Sequence, residues 1–119
     1  MSMNVVLFPC VGRPEDCSGR YFAQTRFELD SWCTWVLSDI TSNSVPIRRP
    51  IEVPWVNKTE PRDLDGQDHS CTWVVEAWVL KCLKFHYDDW HPTRVARSRA
   101  ISAYLNELPD DWPVVVYYI

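Results

Sequence analysis

Cys71, Cys82, His86 and His91 are the residues with the chemistry of a metal centre. Cys82 and His86 are four apart and would share one face of a helix, with His91 just beyond its end. Zinc takes thiolate and imidazole in a tetrahedron, and structural sites build it on two cysteines spaced about two to four residues apart. Ten residues separate Cys71 from Cys82, so the expectation is a core thiol at Cys82 and histidines that are exposed or hydrogen-bonded. A Cys/His enzyme or a small zinc domain on Cys82, His86 and His91 is the alternative.

Other chemistries find less to work with. The stretch Asp63-Leu64-Asp65-Gly66-Gln67-Asp68-His69 resembles the start of a calcium loop, but the position where such a loop needs a bidentate Glu is Val74. No nucleophile signature is present, and three glycines, Gly12, Gly19 and Gly66, are too few for a phosphate-cradling loop. The chain reads as a non-enzyme that takes no cofactor.

One short phrase recurs, as Asp88-Asp89-Trp90 and Asp110-Asp111-Trp112, each followed by a proline within two residues. Turn chemistry explains it: aspartates satisfy local N–H groups, proline fixes the exit and tryptophan folds back onto the core. Contact chemistry explains it as well, because Trp is enriched at interface hot spots. Two copies make no structural repeat. The chain holds 16 acidic against 12 basic residues, a net charge of −4, which disfavours nucleic acid and anionic membranes as partners. Arg94, Arg97 and Arg99 bunch on one stretch and could meet phosphates, but aspartates stand directly before them.

The elements that must position these residues follow from periodicity. With 46% hydrophobic residues the chain can build one core without staples, so one globular domain is expected over 1–119. Residues 3–10 form an apolar run, read as a buried strand that stops at Gly12-Arg13-Pro14. Tyr21, Ala23, Thr25, Phe27 and Leu29 alternate with polar residues, which predicts a half-buried strand, although Thr25 and Glu28 would also fit a helix capping box. From about Asp30, Trp32, Cys33, Val36, Leu37 and Ile40 recur at helical spacing.

In residues 45–56, Pro46, Pro50 and Pro54 fall on one parity, so the missing donors lie along one edge and the segment reads as a sheet-edge strand. Residues 57–70 are polar and read as a long connection. Residues 71–85 are apolar on nearly every side and read as a buried helix, while Trp73-Val74-Val75 would equally suit a strand. Pro92 is placed to open a helix with Val95, Ile101, Leu105 and Leu108 as its stripe, and Pro109 helps stop it. The uncharged run Val114 to Ile119 must lie inside the sheet or in a dimer interface. The expected fold class is α+β, with helices on one face of a mixed sheet of about four strands in the order ββαβααβ.

The N-terminus lacks the basic and small-residue features of a secretory leader, and no segment has the roughly 20 apolar residues of a membrane span. Five cysteines with no close pair suit a reducing compartment, so a cytoplasmic protein is expected. Seven tryptophans on an acidic chain point to a protein-binding module, monomeric or homodimeric. Its specific form would be a stoichiometric inhibitor that blocks a basic surface of a nucleic-acid-handling partner. Immunity proteins and phage-encoded inhibitors of host defence are acidic domains of that general kind, an analogy of class alone. The expected contact residues are Asp88, Asp89, Trp90, Asp110, Asp111, Trp112, Asp63 and Asp65.

Overall fold

The structure, a computed structural model, describes residues 5–19, 21–42, 51–54, 61–63 and 72–118, with the backbone alone at 39–42, 51–54, 61–63 and 72. In chain order the elements are β1 (Val5–Pro9), a 3₁₀ turn (Pro14–Asp16), β2 (Tyr21–Phe22), β3 (Phe27–Glu28), α1 (Cys33–Ser42), β4 (Ile51–Pro54), β5 (Pro61–Asp63), β6 (Thr72–Glu76), α2 (Ala77–Lys81), α3 (Pro92–Asn106) and β7 (Pro113–Tyr118). The fold is α+β, as the mixed patterning implies. Its main sheet has the order β3-β1-β7-β6 and is antiparallel throughout; the parallel pair, β2 with β4, belongs to a second sheet ordered β2-β4-β5. Among the described residues no helix is long and apolar enough to cross a membrane.

The uncharged C-terminal run sits in the interior of the sheet. β7 lies between β1 and β6, in register Leu7↔Val116 on one side and Val74↔Val115 on the other. Alternate side chains then enter two different cores. Val114, Val116 and Tyr118 join Val5, Leu7, Cys33, Leu37, Leu80, Ile101 and Leu105 under the helices. Val115 meets Val6, Phe8, Cys10 and Ala23 on the opposite face. A strand covered on both faces needs apolar residues at every position, and this one has them.

The helix at Pro92 forms as the sequence implies. Pro92 opens α3, the His91 ring Nδ1 accepts the Thr93 N–H at 3.2 Å, and Val95, Ser98, Ile101 and Leu105 face the core. α1 begins three residues after Asp30, whose carbonyl accepts the Cys33 N–H at 2.8 Å, and Cys33 and Leu37 are fully buried.

Four expectations are corrected. The alternating stretch from Tyr21 to Leu29 is two short strands in different sheets: β2 joins β4, β3 joins β1, and the chain crosses over between them at the buried Ala23. Of the segment 45–56, residues 45–50 and 55–56 lie outside the described residues, and β4 at 51–54 is no edge, since it has β2 on one side and β5 on the other, although the ladder with β5 ends where Pro54 faces Pro61, two residues with no N–H to give. The polar connection contains β5. Finally, the helix read over residues 71–85 is strand β6 followed by the short α2. Glu76 is extended, and α2's first N–H groups are satisfied by the backbone of the turn before β7, Ala77 to the Trp112 carbonyl and Trp78 to the Asp110 carbonyl, both at 2.9 Å. That docking fixes the change from strand to helix without a capping side chain.

Candidate functional site

Both Asp-Asp-Trp phrases lie in turns between elements, the first between α2 and α3 and the second between α3 and β7. In the second, Trp112 is half-buried; its Nε1 donates to the Cys10 carbonyl at 2.8 Å and Arg13 lies over its ring at 5.3 Å. Arg13 also pairs with Asp111 at 2.8 Å, and Lys81 of α2 pairs with Asp110 at 2.8 Å while donating to the Leu108 carbonyl. In the first copy Trp90 is half-buried in a cluster with Trp32 and Tyr87, at ring separations of 5.7 and 5.5 Å, and Arg94 stacks on its indole at 3.8 Å. Lys84 pairs with Asp88 at 2.9 Å; this hydrogen bond and the Lys84 charge lower the Asp88 carboxyl from its ordinary value. Asp89 is exposed and meets no cation among the described residues.

The lysines holding the two copies are three residues apart, Lys81 as the last residue of α2 and Lys84 in the turn that follows it. The two acidic turns are therefore tied to one corner of the molecule. Trp78 stands on the same short helix, bonded through its N–H to Asp110, and its side chain is 51% exposed. The backbone of an exposed tryptophan is thus bonded to that of Asp110, whose carboxylate is 79% exposed and paired with Lys81. Periodicity could not identify Trp78 as a surface residue, because a continuous helix over residues 71–85 gives it no outward face. A second missed indole, Trp35 on α1, is 79% exposed.

The remaining expected contact residues are placed as follows. Asp63 has its backbone at the end of β5, and Asp65 lies outside the described residues. Cys71 also lies outside them. Cys82 is exposed rather than in the core, since it follows the last turn of α2, and its thiol donates to the Trp78 carbonyl at 3.4 Å. His86 is buried, with Nε2 at 3.6 Å from Asp88, whereas His91 is exposed and caps α3. Cys82, His86 and His91 are not assembled as a set, and among the described residues no cluster of His, Cys, Asp and Glu could hold a metal ion. Burial pushes the Cys10 thiol up to about 12, with Cys17 adding to the rise, and the Cys33 thiol up to about 11, with Asp30 adding, so both are protonated at neutral pH.

Two of the three arginines of α3, Arg94 and Arg97, converge on one carboxylate. Asp30 is only 19% exposed and accepts from Arg97 at 2.9 Å, with Arg94 at 3.5 Å. No protein-family model, curated protein or solved structure matches this chain.

Proposed function

We propose that this chain is a stoichiometric protein-binding module whose contact surface is centred on Trp78 and rimmed by Asp110, Asp111, Asp88 and Asp89. The observation that carries the reading is an exposed Trp78 whose backbone is tied to Asp110, on the short helix whose Lys81 pairs with the exposed Asp110 carboxylate. Tryptophan supplies large contact area from a side chain with few rotatable bonds, and such residues act as anchors at the centre of interfaces. The carboxylates around it complement a basic partner and would steer its approach. A nucleic-acid-handling protein has a basic surface built for phosphates, so occupation of that surface by these carboxylates would inhibit it. Trp90 and Trp112 end the two acidic turns and pack into the fold, Trp90 against Trp32 and Tyr87 and Trp112 through its bond to the Cys10 carbonyl.

The test is co-purification of the untagged protein from the cells that produce it, comparing the wild type with Trp78→Ala and Asp89→Lys. The wild type should retain a partner at fixed stoichiometry, and retention should fall as salt is raised. Trp78→Ala should weaken binding by at least about 2 kcal/mol, roughly thirtyfold. A partner retained equally by both variants, with no salt dependence, refutes the reading.

A further inference from the structure

The two Asp-Asp-Trp phrases fold into the same turn. In each, the tryptophan N–H donates to the carbonyl three residues back, Trp90 to Tyr87 at 3.2 Å and Trp112 to Pro109 at 3.1 Å, so the two aspartates take the middle positions. Equivalent positions can therefore be compared one by one. The first aspartate of each turn is held by a lysine, Asp88 by Lys84 at 2.9 Å and Asp110 by Lys81 at 2.8 Å. Each indole carries a guanidinium, Arg94 on Trp90 at 3.8 Å and Arg13 on Trp112 at 5.3 Å from the ring centre.

The second aspartates differ. Arg13 serves Asp111 and Trp112 together, pairing with the carboxylate at 2.8 Å while it lies over the ring. Arg94 reaches instead to Asp30 at 3.5 Å, a carboxylate that Arg97 also holds at 2.9 Å. Lys84 is committed to Asp88. Asp89 is thus exposed and meets no cation among the described residues, at the position where its counterpart holds an arginine. The turns also begin differently. Where the second has Pro109, the first has an aromatic ring: Tyr87 is 49% exposed and packs against Trp32 at 4.5 Å and Trp90 at 5.5 Å.

A ring fixed by two neighbours and an unpaired carboxylate two residues away offer what one guanidinium uses at once, a π face to stack on and a bidentate acceptor. Lysine, a point charge on a flexible stem, gains less from either. We infer that Asp89 and Tyr87 receive an arginine side chain of the partner, in the role that Arg13 performs within the chain at Asp111 and Trp112. The basic partner of the protein-binding reading, on which this site rests, then presents an arginine to the first acidic turn in addition to its contact with Trp78.

An NMR titration with N-acetylarginine methylamide, against its lysine and citrulline counterparts, tests the site without the partner. Arginine should give saturable shifts at Asp89 and the Tyr87 ring, with lysine at least about threefold weaker and uncharged citrulline giving none. Asp89→Asn, at an exposed position, should weaken arginine binding at least about fivefold with the rest of the spectrum unchanged. Tyr87→Ala should weaken it and Tyr87→Phe should preserve it. Arg13→Gln, which vacates the equivalent place, should open a second saturable site read at the Trp112 indole N–H. The proposal is overturned if arginine gives no saturable shift up to about 100 mM, or if lysine or citrulline binds as well as arginine. It is also overturned if Asp89→Asn leaves binding unchanged or if Arg13→Gln opens no site at Trp112. Partner retention that falls with Trp78→Ala but not with Asp89→Asn or Tyr87→Ala removes the arginine site and leaves the protein-binding reading. Saturable arginine binding by a chain that retains no partner does the reverse.

Discussion

Replacing Trp112 by Phe separates a tryptophan that builds the fold from one that serves the surface. The substitution removes the Nε1 donor to the Cys10 carbonyl, a 2.8 Å bond between residues near opposite ends of the chain. Cys10 is 5% exposed, so its carbonyl loses a partner that water cannot readily replace. Leaving a buried acceptor unmet costs about 1–3 kcal/mol, and loss of the indole's second ring adds roughly 0.5–1 kcal/mol of packing. The Arg13 contact at 5.3 Å is exposed and survives in weaker form on a phenyl ring. The expected loss is about 2–3 kcal/mol in urea unfolding with an unchanged slope, or a fall in Tm of about ten degrees for a domain of this size. Trp78→Ala should cost less than Trp112→Phe, about 1 kcal/mol, because half of the residue is in water and it gives up no side-chain hydrogen bond. If Trp112→Phe changes stability by less than about 0.5 kcal/mol, or Trp78→Ala destabilises by as much as Trp112→Phe, then the division of the tryptophans between fold and surface is wrong.

Three further outcomes rest on the thiols and the core. Cys82 should be alkylated at neutral pH long before Cys10 and Cys33, as read by peptide mass mapping. The two buried thiols have pKa values raised above those of the unfolded chain, so their contribution to stability is complete below about pH 9 and is lost as pH rises toward 12. Leu37→Ala, which empties a fully buried position between α1 and the sheet, should cost about 2–5 kcal/mol by denaturant unfolding; a loss under about 1 kcal/mol would mean that α1 does not dock as described.

Elements whose pattern answers to one dominant force were legible in the sequence. β7 announced itself because only a position enclosed on both faces tolerates Val114-Val115-Val116, and α3 because Pro92 opens it and its stripe repeats at helical spacing. β6 and α2 were not legible. Their boundary at Glu76 is set by carbonyls of Asp110 and Trp112, more than thirty residues away, and no local residue marks it. The same distance effect hid the split between β2 and β3: alternation persists through both, while the sheet that each joins is a tertiary choice. At the candidate site the acidic turns were readable as turns, but the role of each tryptophan was not, since exposure depends on what packs from elsewhere. Asp30 was likewise invisible as the acceptor for Arg94 and Arg97, which come from an element more than sixty residues later.

The surplus of tryptophan shrinks once each indole is located. Trp55 lies outside the described residues. Trp32 and Trp90 pack with Tyr87, Trp73 meets Tyr118 edge-on at 5.5 Å, and Trp112 is bolted to Cys10. Those four are accounted for by the fold. Trp35 and Trp78 remain, and they are not equivalent. Trp78 has its N–H held by Asp110 and its carbonyl bonded by the Cys82 thiol, and it stands at the corner where Lys81 and Lys84 gather the acidic turns. An anchor on a backbone already fixed at both ends loses little freedom when a partner closes over it, and that loss is a major cost of association. Trp35 has the greater exposure and its N–H and carbonyl are bonded too, to the Trp32 carbonyl and the Ser38 hydroxyl, so what assigns the contact surface to Trp78 is its backbone bond to Asp110 on the helix whose Lys81 pairs with that residue's carboxylate.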